Sequence, residues 1–414
     1  MNRRNAVTRT RHDSNGYIPV ADGFRVLCVL LVGWFHIWQQ SWLTPEITLW
    51  KLHINLLPLV RTGYLMVDMM LLLSGFLLFI PYAKCLVEGA PMPDVTTFYK
   101  KRAARIVPSY YLCLVIMLIF HVIPAGGYPS FRYAFLDIAS HLTFTHTLLY
   151  EGYIGTKLNG VLWTLAVEAQ FYLIAPLIGR AFVKKPLITY LTMTAVAWIY
   201  RFVYVSGLSD TALTFNRLPA MLDVYANGML AAWVFVLLKR RVKMNALTYL
   251  ASAALLILSA AGVWYIARAQ ATRYDGEVIR AGQMLFRYPL TVCGAVFLVS
   301  GSQAPRFIQL LMGNRVTRFL SGVSYNFYIW HSIIALRLRE WHIPPYSSDM
   351  PQKAGERPWM TQYTWLCFFA ALVFATFVTY LWEKPCARRI LQGSWRKGKH
   401  NKKHRALWKM KRSV

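Results

Sequence analysis

The chain has 414 residues, 56% of them hydrophobic, and its mean hydropathy is +0.36. This composition excludes an ordinary soluble enzyme and predicts an all-α polytopic membrane protein. A formal charge of +29 would suit nucleic acid if the basic residues formed one surface. They lie instead in short clusters between apolar runs, which favours membrane lipid as the partner and argues against nucleic acid.

Ten apolar windows are each long enough to cross a bilayer as a helix, which requires about 17 to 25 mainly apolar residues. The first window follows a basic N-terminus with no small-residue cleavage site behind it, so we expect a retained first span. Apolar residues at 134–150 indicate a short re-entrant piece before the fourth. The predicted spans are 24–43, 64–82, 106–123, 161–179, 186–205, 218–238, 245–267, 284–301, 319–336 and 362–382.

Lysine and arginine between the spans set the predicted orientation. Basic clusters recur in alternate loops, and the chain closes on a strongly basic sequence on the same side. By the positive-inside rule both termini are cytoplasmic, which requires an even number of spans. We therefore expect a multi-pass protein of the cell membrane, the cytoplasmic membrane in a bacterium. Its predicted parts are a cytoplasmic N-terminal segment (1–23), a transmembrane domain (24–383) and a basic, lipid-attracted cytoplasmic tail (384–414).

The cysteines are scattered singly along the chain, with no CxxC pair, and none falls in a predicted outer loop. This spacing predicts neither a disulfide nor a metal site. They are Cys28, Cys85, Cys113, Cys293, Cys367 and Cys386.

Ionisable residues inside the spans are the first candidates for a functional site, because burying a charge in the bilayer costs at least ~2.5–3.5 kcal/mol. Their depths place the histidines slightly beyond the midplane and the acids in the outer half. An ion pair between the sixth and eighth spans is an alternative role for Asp223 and Arg287. Arg201 and His121 are set aside because they lie near outer span ends, where side chains reach the interface. The candidates are His36, Asp68, Glu168, Asp223, Arg287 and His331.

The first span carries both Arg25 and His36. Eleven steps of about 100° return to within ~20° of the same helix face, so the two side chains share one stripe. A neutral imidazole accepts a proton near pH 7, and a carboxylate beside it would orient it. Asp68 is the first choice for that carboxylate and Glu168 the second. A packing role stays open for His36, and for His331 among its aromatic neighbours.

A second candidate lies on the predicted cytoplasmic side, in the segment FYKKRAARIVPSYYL. Arg102 and Arg105 are three residues apart, hence on one helical face, just before Pro108, which we expect to open the third span. Two guanidinium groups on one face suit a phosphate ligand. The general basicity of inner loops explains the same residues equally simply.

Six segments follow one another along nearly the whole chain: ADGFRVLCVLLVGWFH, VDMMLLLSGFLL, YKKRAARIVPSYY, LWTLAVEAQFYLIAP, SYNFYIWHSII and WEKP. Together they resemble the motifs of integral-membrane acyltransferase family 3, whose members acylate sugars and other hydroxyl acceptors. The first is similar to that family's DGxR opening, in which ten residues separate the arginine from a histidine. The chain departs from the family at Met70 and Leu71, where phenylalanines are usual, at Thr164, where serine is usual, and at Ala169, where a second glutamate is usual.

The resemblance implies an acyl-CoA donor, most simply acetyl-CoA, reached from the cytoplasm, and a hydroxyl acceptor on the outer side such as a cell-envelope carbohydrate. Arg102 and Arg105 would hold the CoA phosphates, Arg25 would belong to the same motif as His36, and His36 would be the essential histidine. His36 would act as a general base or as an acyl-carrying nucleophile. We expect no metal, and Ser74 to be a helix-packing position. Trp163, Tyr325, Tyr328 and His331 would shape the pocket.

Some relatives append an extracellular hydrolase-like domain; we expect a stand-alone form that acts alone or with a separate envelope-biosynthesis partner. The rival class is a proton-coupled secondary transporter, in which buried histidines and acids relay protons. A transporter would often show repeated halves, which are not evident between 1–205 and 206–414. A polyprenyl-sugar glycosyltransferase would want paired acids in the first outer loop, where 44–63 offers only Glu46.

Overall fold

The computed structural model describes residues 17–203 and 211–392. A single antiparallel hairpin pairs β1 (Glu46–Leu49) with β2 (Leu52–Asn55), and helices form almost all of the remaining regular structure. The helices are α1 (Pro19–Ser41), α2 (Leu57–Arg61), α3 (Met66–Glu88), α4 (Val95–Met117), α5 (Phe131–Leu142), α6 (Trp163–Lys184), α7 (Pro186–Val203), α8 (Thr211–Thr214), α9 (Leu222–Arg241), α10 (Ala246–Ala271), α11 (Gly276–Gln303), α12 (Arg306–Gly313), α13 (Arg315–Glu340), α14 (Pro351–Ala354) and α15 (Arg357–Phe377).

Short segments of tighter or wider helix adjoin several of these helices. The 3₁₀ segments are Gly63–Leu65, His146–Leu148, Gly160–Leu162 and Leu218–Met221, and the π-helical segments are Leu118–Val122 and Val378–Glu383.

Nine helical runs within the described ranges are long and apolar enough to cross a membrane. They coincide with nine of the ten predicted spans, so the chain is an all-α polytopic membrane protein apart from its one hairpin. The remaining predicted span, 319–336, lies within α13, which carries arginines near both ends and buries polar side chains along its length. Those residues make α13 less hydrophobic than the nine other helical runs.

Helix α13 nevertheless runs beside α1 along the full length of that helix. Near the start of both helices, Ser321 Oγ donates a hydrogen bond to Asp22 Oδ1 at 2.6 Å. Near their ends, Arg339 donates to the backbone carbonyl of Gln40 at 3.1 Å. The same sequence separation of 299 residues joins both pairs, so the helices are parallel. Helix α13 therefore crosses the same layer as α1 with its polar residues turned towards protein rather than lipid.

The start of the third predicted span was placed wrongly. Helix α4 begins at Val95, where the Asp94 side chain accepts a hydrogen bond from the backbone N–H of Thr97. That cap holds the pKa of the Asp94 carboxyl below its usual range. Pro108 lies inside the helix instead of opening it. Trp382 Nε1 donates a hydrogen bond to the Pro108 carbonyl at 2.9 Å, which ties the π-helical segment Val378–Glu383 to α4 beside this proline.

Helical structure extends beyond both predicted boundaries of the membrane domain, and the division into segments stays a prediction. Helix α1 begins at Pro19, inside the predicted N-terminal segment 1–23, and helical structure continues to Gln392, inside the predicted tail 384–414. Residues 1–16 and 393–414, including the chain termini whose cytoplasmic placement was predicted, lie outside the described part of the chain.

Two buried ion pairs tie the outer half of the bundle together, and they differ from the predicted pair of Asp223 with Arg287. Arg287 Nε lies 3.1 Å from Asp68 Oδ2, and both side chains are fully buried. Asp223 pairs with Arg201, which is buried rather than reaching the interface as predicted. Buried charges persist only when paired, so these pairs lock α3 to α11 and α7 to α9.

Close contact between α3 and α9 depends on two facing glycines. A Cβ on Gly75 would lie 2.9 Å from the Tyr225 carbonyl oxygen, and one on Gly228 would lie 2.4 Å from the Leu72 carbonyl oxygen. Small residues allow membrane helices to approach to this distance. The packing role predicted for Ser74 thus belongs to Gly75. The Ser74 hydroxyl instead donates a hydrogen bond to Glu168 of the adjacent helix α6.

The segment 134–150, predicted to be re-entrant, forms α5 and the 3₁₀ turn that follows it. The fully buried Asp137 organises the loop beyond, accepting hydrogen bonds from Tyr128 (3.0 Å), Thr156 (2.9 Å) and the backbone N–H of Lys157 (3.0 Å). Burial and the adjacent carboxylate raise the pKa of the Tyr128 phenol. This anchoring fixes the loop that carries Tyr153 over the outer end of the bundle.

Candidate active site

A narrow cavity of about 130 Å³ lies among the starts of α1 and α4 and the middles of α3, α6 and α13. We call it the inner cavity, because the basic residues at its mouth belong to the predicted cytoplasmic side. Arg25, Arg102 and Arg105 line it together. The three arginines that the sequence assigned to the donor therefore share one site, although they come from two helices.

Each arginine of the inner cavity interacts with a different partner. Arg105 forms an ion pair with the buried Glu383 at 3.2 Å. Arg25 donates to Ser321 Oγ at 3.0 Å. Arg102 lies over the ring of Tyr172, 5.6 Å from its centroid, and its buried Nε has no hydrogen-bond partner in the described part of the chain. Arg102 is therefore the cation with the most free donor capacity for an anionic ligand.

Glu168 lines the inner cavity and is held by two hydroxyl groups. Ser74 Oγ donates to Glu168 Oε1 at 2.7 Å, and Tyr172 donates to the same oxygen at 2.5 Å. No cation lies within ion-pair distance of Glu168 among the described residues. The carboxylate is therefore fixed by neutral donors while its second oxygen stays without a hydrogen bond from any described residue.

A wider cavity of about 710 Å³, the outer cavity, lies at the opposite ends of the same helices. His36 lines it together with Trp163 of α6 and Tyr153 of the overlying loop. The structure places His36 five residues before the end of α1 at Ser41, nearer the outer surface than predicted. Burial raises the pKa of the Tyr153 phenol to about 12, so this side chain is neutral at physiological pH and can donate a hydrogen bond.

The hydrogen bonds of His36 assign its tautomer. His331 Nδ1 lies 3.1 Å from the Phe327 carbonyl oxygen, which can only accept, so the hydrogen of neutral His331 is on Nδ1 and its Nε2 is an acceptor. His36 Nδ1 lies 3.1 Å from that Nε2 and 3.0 Å from the Val32 carbonyl oxygen. His36 Nδ1 must therefore carry the hydrogen, which leaves its Nε2 with a free lone pair.

The predicted contact between His36 and Asp68 is not formed. Asp68 accepts both of its hydrogen bonds from Arg287 Nε, at 3.2 and 3.1 Å, whereas the partners of His36 are Val32 and His331. Glu168, the second choice, belongs to the inner cavity. The group that orients His36 is thus the neutral His331, which comes from a helix parallel to α1.

Two residues form part of the wall of both cavities. Val67 and Tyr328 are the lining residues that both cavities share. The Tyr328 hydroxyl accepts a hydrogen bond from Thr164 at 2.9 Å and donates to the Val161 carbonyl at 3.0 Å, so its side chain is fixed at the junction. A route from the arginines of the inner cavity to His36 in the outer cavity would therefore pass these two side chains.

A comparison of the sequence with known families agrees with this arrangement. The family model described as an acyltransferase domain matches residues 18–381. The chain belongs to acyltransferase family 3. The match covers every helix that lines either cavity.

Three related proteins have names that describe acetyl transfer. The peptidoglycan O-acetyltransferase OatA of Listeria monocytogenes is 23% identical over 78% of the chain, and the putative peptidoglycan O-acetyltransferase YrhL of Bacillus subtilis is also 23% identical over 78%. The chain spans about half the length of these two proteins, 50% and 49%. A putative acetyltransferase, ORF330 of Acidianus two-tailed virus, is 25% identical over 69% of the chain and 77% of its own length. No solved structure matches the chain.

Several site residues of this acyltransferase were missed from the sequence. Tyr172 stands in the quoted segment LWTLAVEAQFYLIAP, four residues after Glu168 and hence on the same helix face, so its spacing could have indicated it. Glu383 stands in WEKP, but its pairing with Arg105 joins residues 278 positions apart and leaves no local pattern. No group of three or more metal-ligating side chains occurs within residues 17–203 and 211–392.

Proposed function

We propose that this acyltransferase moves an acetyl or other short acyl group from cytoplasmic acyl-CoA to a hydroxyl group of an outward-facing acceptor, a cell-envelope carbohydrate. The observation that carries the proposal is that Val67 and Tyr328 line both cavities, one of which holds the arginines and the other His36. The names of the two peptidoglycan O-acetyltransferase relatives support acetyl as the acyl group and a glycan as the acceptor.

The inner cavity supports a polyanionic donor. The free N–H of Arg102 and the neighbouring guanidinium groups of Arg25 and Arg105 match the oxygen geometry of phosphate groups. A volume of about 130 Å³ is too small for a whole nucleotide. The nucleotide would therefore stay at the cytoplasmic face while the pantetheine arm and its acyl group enter the bundle.

The outer cavity supports base catalysis on the acceptor. His36 Nε2, whose lone pair is free because Nδ1 carries the hydrogen, would take the proton of the acceptor hydroxyl as its oxygen attacks the thioester carbonyl. The new ester bond forms, the carbon–sulfur bond breaks, and the imidazolium returns its proton to the departing thiolate. His331 would hold the productive tautomer without touching either substrate.

The proposal is tested by expressing the wild type and His36→Gln in membranes of a host that lacks the gene and supplying acetyl-CoA labelled in the acetyl group. We expect label in a glycan or glycolipid fraction with the wild type and a loss of at least about 10²-fold with the variant. Lys101→Gln is the matched control, since Lys101 is exposed and does not line either cavity. Equal incorporation by the wild type and His36→Gln would contradict the proposed role of His36, and transfer without acyl-CoA would contradict the proposed donor.

A further inference from the structure

The wall of the outer cavity contains a concentration of positive charge that the proposed chemistry does not use. Arg61, Arg273 and Arg280 line it. Arg280 forms an ion pair with Glu277. Within residues 17–203 and 211–392, neither Arg61 nor Arg273 has a carboxylate within ion-pair distance. Two uncompensated cations therefore face the space into which His36 also projects.

These two arginines are held in place rather than free in solvent. Arg61 Nη2 donates to the Arg273 backbone carbonyl at 3.0 Å, and its guanidinium lies 3.9 Å from the ring centroid of Tyr274. The Arg273 guanidinium lies 5.1 Å from the ring centroid of Phe286. Stacking and single hydrogen bonds fix the planes of both groups while leaving most of their N–H donors unused. Two cations that line one cavity repel each other unless an anion joins them.

The rest of the wall suits a carbohydrate. Phe35, Trp38 and Trp163 supply aromatic surface, and flat apolar surface with a few polar groups is the usual lining of a small-ligand site. Gln39 and Gln283 also line the cavity, and an amide side chain has both donors and an acceptor. The cavity therefore offers both donors and acceptors for hydroxyl groups. Its volume of about 710 Å³ falls in the range of small-ligand sites, about 300–1,000 Å³.

We propose that the outer cavity binds a carbohydrate that carries an oxyanion, either a carboxylate or a phosphate group, close to the hydroxyl that is acylated. Arg61 and Arg273 would bind the oxyanion through forked, charge-assisted hydrogen bonds, and the aromatic side chains would cover the sugar ring. The identity of the acylated hydroxyl rests on the proposed function, but binding of the anionic sugar does not. Charge on the acceptor would then decide which glycans reach His36.

The test is a direct binding measurement with full-length protein in phosphatidylcholine nanodiscs. The probes are three tetrasaccharides of equal length: one with a hexuronate, one with a phosphate monoester and one neutral. Trp38 and Trp163 provide intrinsic fluorescence at the cavity wall. We expect one or both anionic sugars to bind at least about tenfold more tightly than the neutral sugar, as charge-assisted hydrogen bonds predict. The two anionic probes separate carboxylate from phosphate recognition. Equal affinity for all three would overturn the proposal.

Variants assign the selectivity to the two arginines. Arg61→Gln and Arg273→Gln should each reduce the preference for the anionic sugar by about tenfold, with Arg61→Lys retaining part of it. Arg132→Gln is the matched control, since Arg132 is exposed on α5 and does not line the cavity. An unchanged preference in both glutamine variants, at normal yield and thermal stability, would overturn the assignment.

Two further measurements distinguish sugar recognition from lipid binding and from catalysis. Replacing phosphatidylcholine with phosphatidylglycerol should leave sugar binding unchanged; if the anionic lipid abolishes it, the arginines bind lipid headgroups and the proposal is wrong. Binding is also measured with His36→Gln, which should retain the anionic preference while losing acyl transfer. Selective binding by a wild type that transfers no acyl group would overturn the proposed function and support this inference. Transfer to neutral and anionic acceptors alike would support the proposed function and overturn this inference.

Discussion

The inner and outer cavities balance their charges in different ways. In the inner cavity, Arg105 is paired with Glu383 and Arg25 donates to Ser321, whereas Arg102 has no hydrogen bond to a described residue. Its lining comes from membrane-spanning helices whose neighbours fix them on both sides. The outer cavity takes its cations from α2, the α10–α11 connection and the start of α11, and leaves Arg61 and Arg273 without counter-charge.

The two cavities therefore suit different ligands. A donor with one invariant nucleotide portion suits a narrow, internally compensated site on rigid helices. The proposed carbohydrate acceptor suits a wide site partly built from loops, which tolerate sequence change. The comparison therefore predicts that substitutions in the inner cavity alter the use of acyl-CoA, and that substitutions in the outer cavity alter the choice of acceptor.

The largest expected effect is that of His36→Gln. Loss of the free Nε2 lone pair should lower kcat for acyl transfer by about 10²–10⁴-fold while leaving the KM for acyl-CoA nearly unchanged, because His36 belongs to the outer cavity. The check is steady-state kinetics with labelled acetyl-CoA in detergent or nanodiscs. A rise in the donor KM with unchanged kcat would contradict the assignment of His36 to chemistry.

The next effect is that of Arg102→Gln. Because Arg102 offers the free donor of the inner cavity, its loss should raise the KM for acetyl-CoA by about ten- to a hundredfold with little change in kcat. Lys101→Gln on the exposed side of the same helix should change neither parameter. If both variants behaved alike, general basicity of the inner face would explain the donor affinity and a specific phosphate site would be excluded.

A smaller effect is expected for His331→Leu. Without the acceptor Nε2, one of the two partners that keep the hydrogen on His36 Nδ1 is lost. One hydrogen bond is worth about 1 kcal/mol net, so kcat should fall by about fivefold. His331→Gln, which supplies an amide oxygen as an acceptor, should recover part of the activity. Equal loss in both variants would indicate a packing role for His331 instead.

The smallest effect on catalysis is expected for Asp68→Asn. Removing one charge of the fully buried pair with Arg287 should destabilise the fold by about 3–5 kcal/mol. Activity per folded molecule should change by less than about twofold, within the range of a residue that touches neither substrate. Thermal unfolding and kcat are measured on the same preparation. A collapse of kcat in protein of unchanged stability would restore Asp68 to the active site.

The sequence predicted the membrane spans far better than it predicted which helices lie side by side. Hydropathy located nine of the spans, and the motif spacing brought Arg25, Arg102 and Arg105 to one cavity. The depth of Asp68 was expected to pair it with His36, but depth does not state which helix lies alongside. Hydropathy carries no information on the order of helices around the bundle, so the pairing of Asp68 with Arg287, 219 residues away, could not be deduced.

Two other features were beyond the sequence for different physical reasons. The sequence predicted the span 319–336 but not that α13 packs beside α1, because its polar side chains find their partners on a helix far away in the sequence. The grouping of Arg61 with Arg273 joins positions 212 residues apart through a backbone carbonyl, and no side-chain pattern records such a contact. Local motifs therefore identified residues of the inner cavity, whereas the arginines on the wall of the outer cavity come together only in the tertiary structure.

The central claim is that donor and acceptor approach from opposite faces and meet at Val67 and Tyr328. The most direct measurement uses proteoliposomes that enclose the acceptor fraction found by labelling, with labelled acetyl-CoA supplied only to the face that carries the inner cavity. We expect label on the enclosed acceptor without leakage of acetyl-CoA. We also expect that label to be lost in Val67→Trp, whose larger side chain would block the space between the two cavities. Transfer only when donor and acceptor share one face would contradict it.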